Sequence, residues 1–284
     1  MIKEASPPRR ASTSEALDAT RLADVLRGTG LAAADFLGQF RHATELDAAQ
    51  LHAAAGAGDL ALVQRLAHRI EGASKVIGAR PLAKACSVLG AAARSGRTAG
   101  VHPALAALLA CKQDLYLVLD AREPEGAAPC APVNVQIAGD RQPICAGRVF
   151  LVVEDHEFQR GVILRLLRQL GALEAHGFAE GTAAVAAARC RTAPAILVLD
   201  LAMPGPSGME VVRTVVQEQL PLSVIINSAR SQELLQEPLQ TARSWGADML
   251  GAVSKPLTAA KLAPLLGAGQ GTGPMGRLQT AGLS

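Results

Sequence analysis

A chain of 284 residues has room for two modest domains, each able to bury a core. Hydrophobic residues make up 49% and aromatics only 2%, so those cores must be built from Ala, Leu and Val. A formal net charge of +3, with both signs interspersed, is too weak to argue for nucleic-acid or membrane partners, and no 18-residue apolar run is present to insert into a membrane.

Residues 1–15 are polar and Pro-containing and read as a disordered N-terminus, with no apolar segment of the signal-peptide kind. The five cysteines, at 86, 111, 130, 145 and 190, are odd in number and widely spaced. They read as reduced thiols of a cytoplasmic protein rather than a disulfide frame or a zinc site.

Residues 16–121 are rich in Ala and Leu and carry helical periodicity. Helices are expected over 16–27, 33–55, 59–77, 80–95 and 104–120, punctuated by Gly56, Gly58, Gly78, Pro81 and Gly96. Four longer antiparallel helices with short turns make an all-α four-helix bundle. In the third helix Asp59 is a plausible N-cap, and Leu62, Val63, Leu66, Ile70, Ala73 and Ile77 share one face. His68 lies almost opposite, beside Gln64, Arg65, Gly72 and Lys75, which predicts an exposed imidazole. Gly72 costs about 1 kcal/mol of helix propensity. A missing side chain there would let another protein surface reach the imidazole, and an exposed imidazole with a free ring nitrogen can accept a phosphoryl group. His42, His52, His102 and His176 read as ordinary surface histidines.

Residues 122–147 carry Pro124, Pro129, Pro132, Gly139, Pro143 and Gly147 and read as a linker. About 26 flexible residues span roughly 28 Å root-mean-square. From 148 to 267 the periodicity switches. Strands are expected at 149–153, 173–178, 196–200, 223–227 and 249–254, with helices at 157–169, 181–191, 207–218, 231–244 and 257–266. Five β-α repeats make an α/β, doubly wound (βα)5 parallel sheet with helices on both faces. Residues 268–284 are Gly-rich and read as a disordered tail.

Ile196 to Leu199 run into Asp200 at the carboxyl end of the central strand, where chemistry sits in open α/β sheets. Glu154 and Asp155, Ser228, and Lys255 with Pro256 fall at the same rim. Three carboxylates at close quarters want a small hard cation, and Mg²⁺ fits because it takes one or two carboxylates plus phosphate oxygens. Asp200 then serves as nucleophile of a mixed anhydride, with Lys255 and the Ser228 hydroxyl on phosphoryl oxygens. His156 reads as a solvated loop residue.

Glu154-Asp155, Asp200 with Met203-Pro204, Ser228-Ala229 and Lys255-Pro256, in this order, resemble the response-regulator receiver domain, a flavodoxin-like fold. The resemblance covers about 148–267. It implies phosphorylation of Asp200, Mg²⁺ held by Glu154, Asp155, Asp200 and the backbone carbonyl of Ala202, and a Lys255–Pro256 peptide open to the cis form. The chain departs from the family at Ala252, where receivers often carry a switching Tyr or Phe. Ala67-His68-Arg-Ile-Glu-Gly72, followed by Gly78-Ala79, resembles the histidine phosphotransfer (HPt) domain over about 16–121, which implies His68 as the phosphorylated residue. Here the departure is Glu71, where the family usually has Lys; Lys75 lies one turn further on.

Together the two resemblances imply a bacterial, cytoplasmic two-component phosphorelay protein, phosphorylated on His68 and Asp200. Its partners would be a sensor histidine kinase or that kinase's receiver, and other response regulators. The linker would allow docking within one chain at roughly millimolar effective concentration. With no ATP-binding domain and no helix-turn-helix signature, output would run through protein contact. Two other readings stay open. One is a non-catalytic interaction module or phosphate sink that binds two-component partners without relaying phosphate. The other is a haloacid-dehalogenase-type phosphatase, which would need a second Asp where Ala202 stands.

Overall fold

A computed structural model describes residues 16–96, 98–121, 143–203, 206–229 and 231–267. The expectations for 1–15, for 268–284 and for linker residues 122–142, with Cys130, lie outside them, as do Pro204 and Gly205.

Among the described residues the N-terminal half holds the helices α1 (Ala19–Thr29), α2 (Ala33–Ala57), α3 (Leu60–Ile77), α4 (Arg80–Arg94) and α5 (Thr98–Asp120). Local chemistry sets their ends. The Asp18 carboxylate accepts the backbone N–H of Arg21 at 3.0 Å and Asp59 that of Leu62 at 2.9 Å, two side-chain N-caps. Gly78 closes α3 at φ 84°, a left-handed conformation that suits glycine. Helices α2 to α5 pack as a bundle around Phe36, Phe40, Leu51, Leu66, Ile70, Leu89, Leu108 and Leu115, all buried. Helix α5 starts six residues before the expected 104. Pro103 lies inside it, and its missing N–H forfeits only one bond, to the carbonyl of exposed Ala99 in the first turn.

The C-terminal half is a five-stranded, wholly parallel sheet of order β2-β1-β3-β4-β5: β1 (Val149–Val153), β2 (Glu174–Phe178), β3 (Ala195–Leu199), β4 (Leu222–Ser228) and β5 (Met249–Ser254). It is covered by α6 (Glu157–Gln169), α7 (Gly181–Arg189), α8 (Gly208–Gln217), α9 (Gln236–Ser244) and α10 (Ala259–Gly267). The expected doubly wound parallel sheet is the observed one. Alternate residues of the buried strands feed two cores. Leu151, Val153, Leu197 and Leu199 face the α7–α8–α9 side, and Phe150, Val152, Ile196 and Val198 the α6–α10 side. The helix expected over 231–244 is two pieces, a 3₁₀ turn at Glu233–Leu235 and then α9. Pro238 falls in the first turn of α9, where a missing N–H is tolerated.

Residues 143–147, read as the end of the linker, are folded onto the sheet half instead. Cys145 is buried, its N–H donates to the Leu170 carbonyl at 2.9 Å, and Ala146 bridges Ala172. Composition marked the Pro and Gly residues but not Ile144 and Cys145 between them, which pack on the core.

The two halves pack against each other. Phe158 and Val162 of α6 belong to the same apolar cluster as the bundle. The Phe158 ring centroid is 5.2 Å from that of Phe36 and 5.7 Å from that of Phe40. Helix α1 packs on both α3 and α6.

Candidate functional site

The parallel order brings the carboxyl ends of β1, β3, β4 and β5 to one rim. Lys255 Nζ sits 2.6 Å from Glu154 Oε2 and 2.8 Å from Asp200 Oδ2, and all three side chains are buried. The Lys255 backbone N–H donates to the Ser228 carbonyl at 2.7 Å, which fixes the end of β5 against β4. The Lys255–Pro256 peptide is cis. Asp200 Oδ1 accepts the Ala202 N–H at 3.2 Å.

Burial is the largest influence on each ionisable group here. It pushes the Glu154 carboxyl up to about 8, against the pull of Lys255. It raises Asp155 although the Arg69 guanidinium opposes it. At Asp200 burial also acts upward, but Lys255 and then His68 outweigh it and hold the carboxyl below its ordinary value. Lys255 rises above the ordinary ammonium range because Asp200 and Glu154 outweigh its desolvation.

Ligand atoms of Glu154, Asp155 and Asp200 lie within 4.8 Å of one another. Glu154 Oε1 is buried with no hydrogen-bond partner. An all-oxygen cluster with an orphaned, desolvated carboxylate oxygen fits a small hard divalent cation.

On the bundle, His68 projects from α3 on the side away from the bundle core, as the periodicity predicts. It is not exposed as expected: it is half-buried, and its Nε2 is buried with no hydrogen-bond partner. The strongest charge acting on it is the Asp200 carboxylate, followed by Lys255. Burial nonetheless holds the imidazole below its ordinary value. Helical periodicity identifies the face turned from the bundle core; it does not show that the sheet half covers that face.

The family model of the Hpt domain matches residues 35–120, and that of the response regulator receiver domain matches residues 150–266. The chain is an HPt domain followed by a response-regulator receiver domain. Such a pair belongs to two-component phosphorelay signalling. No curated protein matches the chain. Among solved structures it is similar to a response regulator from Colwellia psychrerythraea, at 21% identity and TM-score 0.36 over 43% of this chain and 94% of that one. It is also similar to a CheY-like receiver domain from Methylobacillus flagellatus, at 25% identity and TM-score 0.35 over 43% and 97%. Among the described residues no helix is long and apolar enough to cross a membrane.

The receiver meets the HPt domain around His68. Gly72 is buried, with the Gln159 side chain of the receiver over it, and Gln159 Nε2 donates to the Arg69 carbonyl at 3.1 Å. Lys75 pairs with Glu71 at 2.8 Å and donates to the Ala229 carbonyl of the receiver at 2.6 Å. The acidic departure at Glu71 is thus neutralised on its own helix, while Lys75 makes the contact across the interface. Ala252, the other departure, is buried, and its carbonyl accepts Gln232 Nε2 at 2.7 Å.

His156 corrects an expectation. It is buried rather than solvated; its Nδ1 accepts the Gln159 N–H, capping α6, and its Nε2 lies 3.3 Å from Asp47 Oδ2 of α2. Asp47 also pairs with Arg69 at 3.1 Å, and Arg69 lies 3.8 Å from Asp155. Asp47, Arg69, Phe158 and Gln159 were not singled out in the sequence. A signal existed for one of them: the chain has five Phe, and three of these, Phe36, Phe40 and Phe158, meet at this interface.

Proposed function

We propose that this protein relays a phosphoryl group between Asp200 and His68 within one chain. The observation that carries the reading is that the receiver rim holding Asp200 covers the helix face holding His68, whose buried Nε2 has no hydrogen-bond partner and on which Asp200 is the strongest charge. In the forward direction the Nε2 lone pair attacks phosphorus, the P–O bond to Asp200 breaks, and its electron pair returns to the carboxylate. Lys255 Nζ, 2.8 Å away, stabilises that carboxylate. The Ser228 hydroxyl, at the end of β4, serves a phosphoryl oxygen. Burial supplies the neutral imidazole the attack needs.

Glu154, Asp155 and Asp200, with the Ala202 carbonyl beside them, would hold Mg²⁺. When bound, it supplies the charge that offsets the carboxylates and phosphoryl oxygens. External partners, a sensor histidine kinase or its receiver in the bacterial cytoplasm, would load or drain this pair.

The test is incubation of the full chain with Mg²⁺ and acetyl phosphate, alongside His68→Ala and Asp200→Ala. Base-labile label requiring Asp200, and acid-labile label requiring both residues, is the expected result. Acid-labile label that persists in Asp200→Ala, or none when Asp200 is labelled, overturns transfer within the chain.

A further inference from the structure

Two side chains at the domain boundary are polar, deeply covered and outside the transfer chemistry itself. Asp47 on α2 and His156 at the start of α6 are 2% and 1% exposed. Asp47 Oδ1 is neutralised by Arg69 at 3.1 Å, and Arg69 reaches on to Asp155 at 3.8 Å. The second carboxylate oxygen, Oδ2, and His156 Nε2 are both buried with no hydrogen-bond partner, and they face each other at 3.3 Å.

The ring chemistry settles which atom gives the proton. His156 Nδ1 accepts the Gln159 backbone N–H as the N-cap of α6, at 3.5 Å. With Nδ1 used as the acceptor, Nε2 is the ring nitrogen that carries hydrogen, and it faces Asp47 Oδ2. The receiver therefore presents an N–H to a carboxylate oxygen that docking removes from water. A buried carboxylate oxygen left without a donor is costly, and a second carboxylate set against it more so. Discrimination of this kind, by an unpaired buried group in the wrong complex, is how specificity is built.

We infer that Asp47 and His156 are the recognition pair by which the HPt domain selects the receiver of its own chain. The partner chemistry follows. The HPt surface fits a receiver whose residue directly after the acidic pair donates a hydrogen bond, and rejects one that carries a carboxylate there. Phe158 anchors the contact without discriminating, because any apolar side chain of similar size fills the space between Phe36 and Phe40. The inference rests on the docked pair of the proposed relay, but concerns docking rather than transfer.

Compensating substitutions in the full chain test it, with amide hydrogen exchange around Gly72 and Phe158 as the docking readout. His156→Asp keeps an N-capping side chain but sets a carboxylate against Asp47. It is expected to speed exchange in both segments about tenfold or more. Asp47→Asn restores a donor facing that new carboxylate, so the double variant is expected to recover most of the protection. His156→Gln, which keeps an N–H, is expected to stay docked. Retained protection in His156→Asp, no recovery in the double variant, or a loss in His156→Gln as large as in His156→Asp each overturns the inference. If His156→Asp fails to fold, the double variant and His156→Gln still decide. Intact protection without phosphohistidine would defeat the relay and leave the recognition pair standing.

Discussion

A Cβ placed on Gly72 would lie 2.6 Å from both Nε2 and Oε1 of Gln159. The glycine that costs α3 helix propensity is thus a point at which the receiver closely approaches the HPt backbone. Gly72→Ala should act with opposite signs on two measurements. It should stabilise the helix by about 1 kcal/mol, raising the melting temperature of the bundle. It should also displace Gln159 from the Arg69 carbonyl and slow transfer from Asp200 to His68 by about tenfold. Thermal unfolding and the rate of phosphohistidine formation check the two arms; a faster transfer rate would contradict the contact.

Phe158→Ala should separate docking from folding of the receiver. The ring lies in the bundle's apolar cluster rather than in either core of the sheet. Its loss should weaken docking by about 3 kcal/mol, while base-labile labelling of Asp200 by acetyl phosphate persists. Hydrogen exchange around Gly72 compared with that in β3 reads the difference.

Acid should loosen the closed pair through His68. Burial holds the imidazole below its ordinary value of 6.5, so the docked state binds fewer protons than the undocked one just below that pH. Docking is then strongest above about 6.5 and weakens as the pH falls through the window beneath it. His68→Gln removes this titration but leaves His156 and Asp47 in place, so the difference between the two pH profiles isolates His68. Identical profiles would count against the assignment.

Thiol chemistry should follow burial. Cys145 is pushed up to about 11 by desolvation, and buried Cys86 is also raised well above its ordinary value, whereas Cys190 is exposed. At pH 8 a thiol with a value near 11 is about one part in a thousand thiolate. Iodoacetamide should therefore label Cys190 long before Cys86 and Cys145, which should react only on unfolding. Peptide mass spectrometry of time points reads the order.

Charge removal at the rim should be severe. Lys255→Ala leaves Glu154 and Asp200 buried together without their shared cation, a loss of about 3–5 kcal/mol for a broken buried pair. Denaturant unfolding measures it.

Both domains were legible in the sequence because their signals are local. Ile196 to Leu199 running into Asp200 needs only a strand read from five residues, and the off-core placement of His68 needs only a period of 3.6. The site is split in the same way. Glu154, Asp155, Asp200, Ser228 and Lys255 sit at strand ends, and parallel topology alone collects them. The burial of His68, the role of His156 and the pairing of Asp47 depend on one domain's surface meeting the other's. Asp47 is separated from His156 by more than a hundred residues, and no periodicity within α2 marks a carboxylate that will be covered. Local pattern therefore determined what each half is and which residues its candidate site is built from. Only the tertiary structure decided that Phe158, Gln159 and His156 close over α2 and α3, because desolvation belongs to the packed pair and to neither stretch of sequence alone.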